Sequence, residues 1–140
     1  MTREKAAMRG GLGIMPTALL TFLLTSVAGC AQPELIEGKE VARELDFYSE
    51  LKVLVTKDAA DDYRVYVAAI DRDQGGEEVL RTNAGDGVAM AWIDKDTLKL
   101  TITCGRVFAF RNVFEITNAD GELDRRISIR LDTEGPLTCL

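Results

Sequence analysis

Val88-Ala89-Met90-Ala91-Trp92-Ile93, then Asp94-Lys95-Asp96, then Thr97-Leu98-Lys99-Leu100-Thr101-Ile102-Thr103-Cys104, is the stretch that decides the fold. Two apolar, β-branched runs flank a short polar connection, which is the pattern of a β-hairpin. Strict alternation sends Leu98, Leu100, Ile102 and Cys104 to one face and Lys99, Thr101 and Thr103 to the other. One face is therefore dry and the other wet.

Working outward, the same period of two recurs. Leu51-Lys52-Val53-Leu54-Val55-Thr56 reads as a strand, Asp58-Ala59-Ala60-Asp61-Asp62 as a turn, and Tyr63 to Ile70 as the returning strand. Glu77 to Arg81 reads as a weaker, edge-like strand between the turn Asp71 to Gly76 and the loop Asn83 to Gly87. After Gly105, which breaks or bends the chain, Phe108 and Phe110 alternate as a buried face would. Val113 to Ile116, the turn Asn118-Ala119-Asp120-Gly121, and Arg125 to Leu131 complete the series, with Ile127, Ile129 and Leu131 inward and Ser128 toward water. The expectation is an all-β domain over 51–140, a small antiparallel meander forming a barrel, a sandwich or a curved sheet. Residues 30–50 read as a polar tether, and the spacing of Val41, Leu45 and Tyr48 fits a short helix over Glu40 to Glu50.

The first 29 residues have a different character. Arg3, Lys5 and Arg9 precede the apolar block Ala18 to Leu24, and Val27-Ala28-Gly29-Cys30 closes it with small residues and a thiol. The block is short for a membrane span, and Gly10, Gly11, Gly13 and Pro16 weaken the alternative of an uncleaved anchor helix. This arrangement resembles a bacterial lipoprotein precursor. The resemblance implies cleavage of a signal peptide at 1–29, a diacylglycerol on the Cys30 thiol, and attachment to a membrane through that lipid. It also implies a place in the cell envelope. Ala31 after the lipidated residue, where an Asp would retain a lipoprotein at the inner membrane, favours the outer membrane with the domain in the periplasm. Beyond the signal, the chain resembles small exported lipoproteins of unknown function.

Loss of residues 1–29 removes Arg3, Lys5, Arg9 and Glu4, leaving 14 basic against 22 acidic residues and a net charge of −8. Such a surface repels phosphates, so nucleic acid is not an expected partner. About 110 residues make one core and not two. With Cys30 assigned to lipid, Cys104 and Cys139 remain, and an even pair in an exported chain reads as a structural disulfide.

Chemistry is scarce. There is no histidine in the chain, which removes the commonest general base and transition-metal ligand together. Ser49 and Ser128 lie in no nucleophile-elbow context. Asp71 to Glu77 and Asn118 to Glu122 open like calcium loops but carry Thr82 and Ile129 where the closing Glu is required. Both read as turns, as does Asp94-Lys95-Asp96. No catalytic residue, metal site or cofactor is expected. Tyr66 beside Arg64 is the candidate contact on the domain surface. The expected function is a non-catalytic envelope interaction or structural role with an envelope protein as partner. The alternatives are an inhibitor of an envelope-attacking hydrolase such as lysozyme, and a small-ligand carrier built on a hollow barrel.

Overall fold

Alternation with β-branched residues between tight turns produces nine strands in the computed structural model, which describes residues 35–71 and 75–135. The strands are β1 (Lys39–Leu45), β2 (Leu51–Lys57), β3 (Tyr63–Ala69), β4 (Glu77–Thr82), β5 (Val88–Asp94), β6 (Thr97–Ile102), β7 (Val107–Phe110), β8 (Val113–Thr117) and β9 (Leu123–Thr133). Two sheets form, in the orders β1-β2-β3-β4-β7 and β5-β6-β9-β8. The all-β expectation holds. The sheets stay open, and they share one core built from Val53, Val55, Val65, Val67, Leu98, Leu100, Ile102, Ile127 and Ile129 among others. This is the sandwich among the three shapes considered. Burying such side chains contributes roughly 1.5–3 kcal/mol each.

The alternations read from sequence deliver this core directly. Leu98, Leu100 and Ile102 are buried while Lys99 and Thr101 are half-exposed, and Ile127 and Ile129 are buried on either side of exposed Ser128. Asp94 accepts the Asp96 N–H at 2.8 Å, and Asn118 accepts from Asp120 and Glu122 at 3.0 and 2.9 Å, so these polar clusters close turns. Asp58 does the same for Ala60 and Asp62.

Four expectations need correction. The short helix over Glu40 to Glu50 is replaced by β1 and a turn, because β1 pairs antiparallel with β2 and sets Ala42 on the core. Val41 and Leu45, whose spacing suggested a helix, are exposed. The β domain consequently takes in Lys39–Leu45, which the tether was expected to contain. The strand Glu77–Thr82 is not at an edge: it lies between β3 and β7. Val65 pairs with Leu80 and Tyr66 with Glu78, so Val79 is the extra residue of a bulge and both Val79 and Leu80 are buried. Phe108 and Phe110 are exposed on β7, an edge strand of four residues, rather than buried. Finally, the sheet is not wholly an antiparallel meander. β9 pairs parallel with β6 from Thr97↔Ser128 to Ile102↔Thr133, and antiparallel with β8 along its first half.

The signal segment, Cys30, Ala31 and Cys139 lie outside the described residues. Among the described residues no helix is long and apolar enough to cross a membrane.

Candidate interaction surface

The turn from β1 to β2, Asp46-Phe47-Tyr48-Ser49-Glu50, is organised by one buried carboxylate. Asp46 Oδ1 accepts the N–H groups of Glu50 at 2.8 Å and Leu51 at 2.9 Å. The Asp46 backbone adds two bonds, its N–H to Leu51 O at 3.1 Å and its C=O from Ser49 N–H at 3.0 Å. Ser49 is held at φ 55°, an uncommon left-handed position for a residue with a Cβ. The turn is therefore over-determined.

Its outer side is locked from the other sheet. Arg125, on β9, donates from Nη1 to Asp46 Oδ2 at 2.8 Å and from Nε to Asp96 Oδ1 at 3.2 Å, and reaches the Lys95 carbonyl. Its guanidinium sits 5.0 Å from the centre of the Tyr48 ring, within cation–π range. Burial pushes the Asp46 carboxyl up, but hydrogen bonds from Leu51, Arg125 and Glu50 outweigh it and hold it below the usual carboxylate range. Burial lowers the Arg125 pKa, and its bonds to Asp46 and Asp96 reverse that and leave it raised. Both groups stay charged at neutral pH.

The lock displays apolar surface. Phe47 is 62% exposed and Tyr48 56%, with exposed Leu45 just before them. Ile70, whose N–H donates to Glu50 O at 3.0 Å, adds a further exposed apolar residue beside the turn. The neighbouring charge is acidic: Glu44, Glu50, Asp71 and Asp94 are exposed, while Lys95 is paired with Asp96 at 3.3 Å and Arg125 is committed to its carboxylates. Two exposed aromatics on a hydrogen-bonded turn, rimmed by carboxylates, have the make-up of a protein contact.

The contact expected from sequence is corrected. Tyr66 is 1% exposed, and its hydroxyl accepts the Glu37 N–H at 3.2 Å. Arg64 is only 18% exposed and is held by Glu37 at 3.1 Å, Asp58 at 3.2 Å and Glu78 at 3.1 Å. Burial would lower its pKa, but these acids keep it raised. Gly76 lies against Tyr66 and the chain at Glu37 bonds to both side chains, so the pair is a structural clamp on β3 and not a surface. Cys104 is half-buried at the end of β6 and is not a free thiol.

Elsewhere the surface offers little chemistry. A shallow depression of about 550 Å³ is lined by Glu77, Val113, Glu115 and Arg126, but Arg126 donates to Glu115 at 2.8 Å and Glu77 pairs with Arg111. Among the described residues no group of acids and cysteines is placed to hold a metal ion.

Sequence reasoning missed the aromatic turn because Tyr48 was placed on a helical face. The signal that could have found it is Asp46 four residues before Glu50 with Ser49 between, an Asx-type turn pattern enclosing two aromatics. Fold and surface together define a small open β-sandwich with an exposed aromatic turn. Comparison with protein-family models, curated proteins and solved structures finds no match.

Proposed function

We propose that this chain is a bacterial lipoprotein, anchored through lipid on Cys30, whose β-sandwich makes non-catalytic contact with an envelope protein through Phe47 and Tyr48. The observation that carries the reading is the exposure of two adjacent aromatics on a turn that buried Asp46 and Arg125 hold rigid. Preorganised aromatics lose little entropy on binding and are the side chains that dominate interface energies.

The geometry suits a tether. Thr56 Oγ1 donates to the Glu37 carbonyl at 2.5 Å and Glu37 N–H reaches Tyr66, so the chain is clipped to the sheet just before β1. The seven residues from Cys30 to Glu37 reach at most about 24 Å. β1 then runs away from that point for about 23 Å to the aromatic turn. A lipid at Cys30 would keep the domain close to the bilayer, raising the effective concentration of Phe47 and Tyr48 toward a partner on the same membrane. Outer-membrane placement with the domain in the periplasm rests on Ala31 following Cys30.

A disulfide between Cys104 and Cys139 belongs to the same reading. Glu134 N–H donates to Ile102 O at 2.9 Å, which brings the chain after β9 alongside Thr103 and Cys104.

Inhibition of a basic hydrolase is the second reading, supported by the exposed acids around the turn. A carrier is not proposed, since it called for a hollow barrel and the two sheets meet in a packed core. The test is crosslinking in cells followed by mass spectrometry, comparing the full-length chain with Cys30→Ser and with Phe47→Ala/Tyr48→Ala. A partner captured by the native chain and lost with both variants supports the reading. A partner indifferent to Phe47 and Tyr48 overturns the assigned surface. Loss of lysozyme activity in the presence of the protein would move the reading to the inhibitor.

A further inference from the structure

Charge is not spread evenly over this domain. Four connections gather at one end of the sandwich: the β1–β2 turn, the start of the β3–β4 connection at Ile70 and Asp71, the β5–β6 turn, and the β8–β9 turn from Asn118 to Glu122. Ile70 N–H donates to Glu50 O at 3.0 Å, and Arg125, near the start of β9, bridges Asp46 and Asp96, so these segments are tied together. Glu44, Asp71, Asp120, Glu122 and Asp124 are exposed here and enter no ion pair among the described residues. The cations described beside them are spent. Lys52 is buried, Lys95 pairs with Asp96 at 3.3 Å, Arg125 with Asp46 at 2.8 Å, and Arg126 with Glu115 at 2.6 Å. The opposite end differs. Asp58 and Asp61 of the β2–β3 turn are matched by Arg64 at 3.2 Å and Lys57 at 3.1 Å, and the stitched loops that expose Asp86 also expose Arg106. Acid that served solubility alone calls for no such segregation.

We infer that the aromatic turn docks a cationic protein surface, one on which Lys or Arg residues frame an apolar centre. The inference rests on Phe47 and Tyr48 being a contact, and adds the chemistry of what they contact. Complementarity selects the occupant. Leu45, Phe47, Tyr48 and Ile70 supply exposed apolar surface, and the five unmatched carboxylates give the same end of the domain a single sign of charge. A second copy brings the same negative charge and is repelled, as are the phosphates of nucleic acid or of an anionic bilayer. A basic protein is drawn in, because its cations meet carboxylates on approach and an aromatic ring on arrival. Arg125 already lies 5.0 Å from the centre of the Tyr48 ring, whereas Phe47 has no cation over it among the described residues. Phe47 is therefore the ring left to a partner's Lys or Arg. Unpaired rim charge of this kind acts on the rate of encounter more than on the lifetime of the complex.

The test replaces Phe47 with the photo-crosslinking amino acid p-benzoylphenylalanine in the full-length chain, irradiates intact cells, and sequences the joined peptide by mass spectrometry. The joined segment should carry more Lys and Arg than Asp and Glu. Glu44→Lys with Asp71→Lys should lower the crosslink yield about tenfold. Asp86→Lys with Glu134→Lys, which alters net charge equally at the other end, should leave it unchanged, and native-like circular dichroism of both double variants shows that each is folded. A neutral or acidic joined segment, or no difference between the two charge variants, overturns the inference and leaves the aromatic contact standing. Joining to lipid or to a second copy, or no joining at all, overturns both.

Discussion

Asp46 is the residue on which the aromatic turn depends. Asp46→Asn keeps an acceptor for Leu51 but leaves the Arg125 charge without its closest partner, and should lower stability by about 3 kcal/mol, read from the urea midpoint. Its carboxyl is depressed in the fold, so its contribution is complete above the ordinary carboxylate value of about 3.9 and is lost as pH falls through the lower folded value. Native protein should therefore lose stability on acidification below about pH 4, with a smaller loss in Asp46→Asn. Phe47→Ala should leave stability within about 0.5 kcal/mol, because the ring is in solvent. Tyr66→Ala should cost about 4 kcal/mol by the same measurement, because it empties a buried site. The opposite status of Tyr66 and Tyr48 shows what alternation conveys. It sorts a strand into two faces, and so placed Leu98, Leu100 and Ile102 correctly. It does not say that both faces of β2 and β3 are covered, as they are where Leu54 and Tyr66 are buried.

At the scale of elements, the passage from β6 to β7 rests on a backbone contact. The chain at Cys104 to Arg106 is stitched to the loop after β4 by Gly85 N–H to Cys104 O at 3.0 Å and Arg106 N–H to Asn83 Oδ1 at 2.6 Å. A Cβ on Gly105 would stand 2.6 Å from Ala84 Cα, and its φ of 144° is costly for any other residue. Gly105→Ala should destabilise by at least about 2 kcal/mol, seen as a lowered thermal midpoint. The break at Gly105 was legible as sequence, while its cause, a loop 20 residues earlier, was not. β1 and β4 failed for related reasons. A strand at a charged edge shows no clean alternation, and a bulge at Val79 erases the period of two. β7 looked buried because its aromatics alternate, yet its position at a sheet edge exposes them.

For the whole molecule, the proposed disulfide between Cys104 and Cys139 carries a stability prediction. Unfolded, unreduced protein should show neither thiol, and reduction should lower stability by about 4 kcal/mol for a loop of this length. The all-β class was readable as local patterns of sequence. The strand order was not, because β6 meets β9 across a long intervening stretch and no local feature encodes a parallel register.

The position of β9 also orders assembly. It is the last of the nine described strands in chain order, yet it stands between β6 and β8 and bonds to both. Until it arrives, β6 lacks one neighbour and Leu98, Leu100 and Ile102 face no completed wall. β1 to β4 of the first sheet can zip up hairpin by hairpin, but the second sheet must wait for β9, a closure of high contact order that belongs with slow folders. A nascent chain is thus kept pliable until β9 is in reach, and closure of the second sheet becomes a readout of having β5 through β9 together.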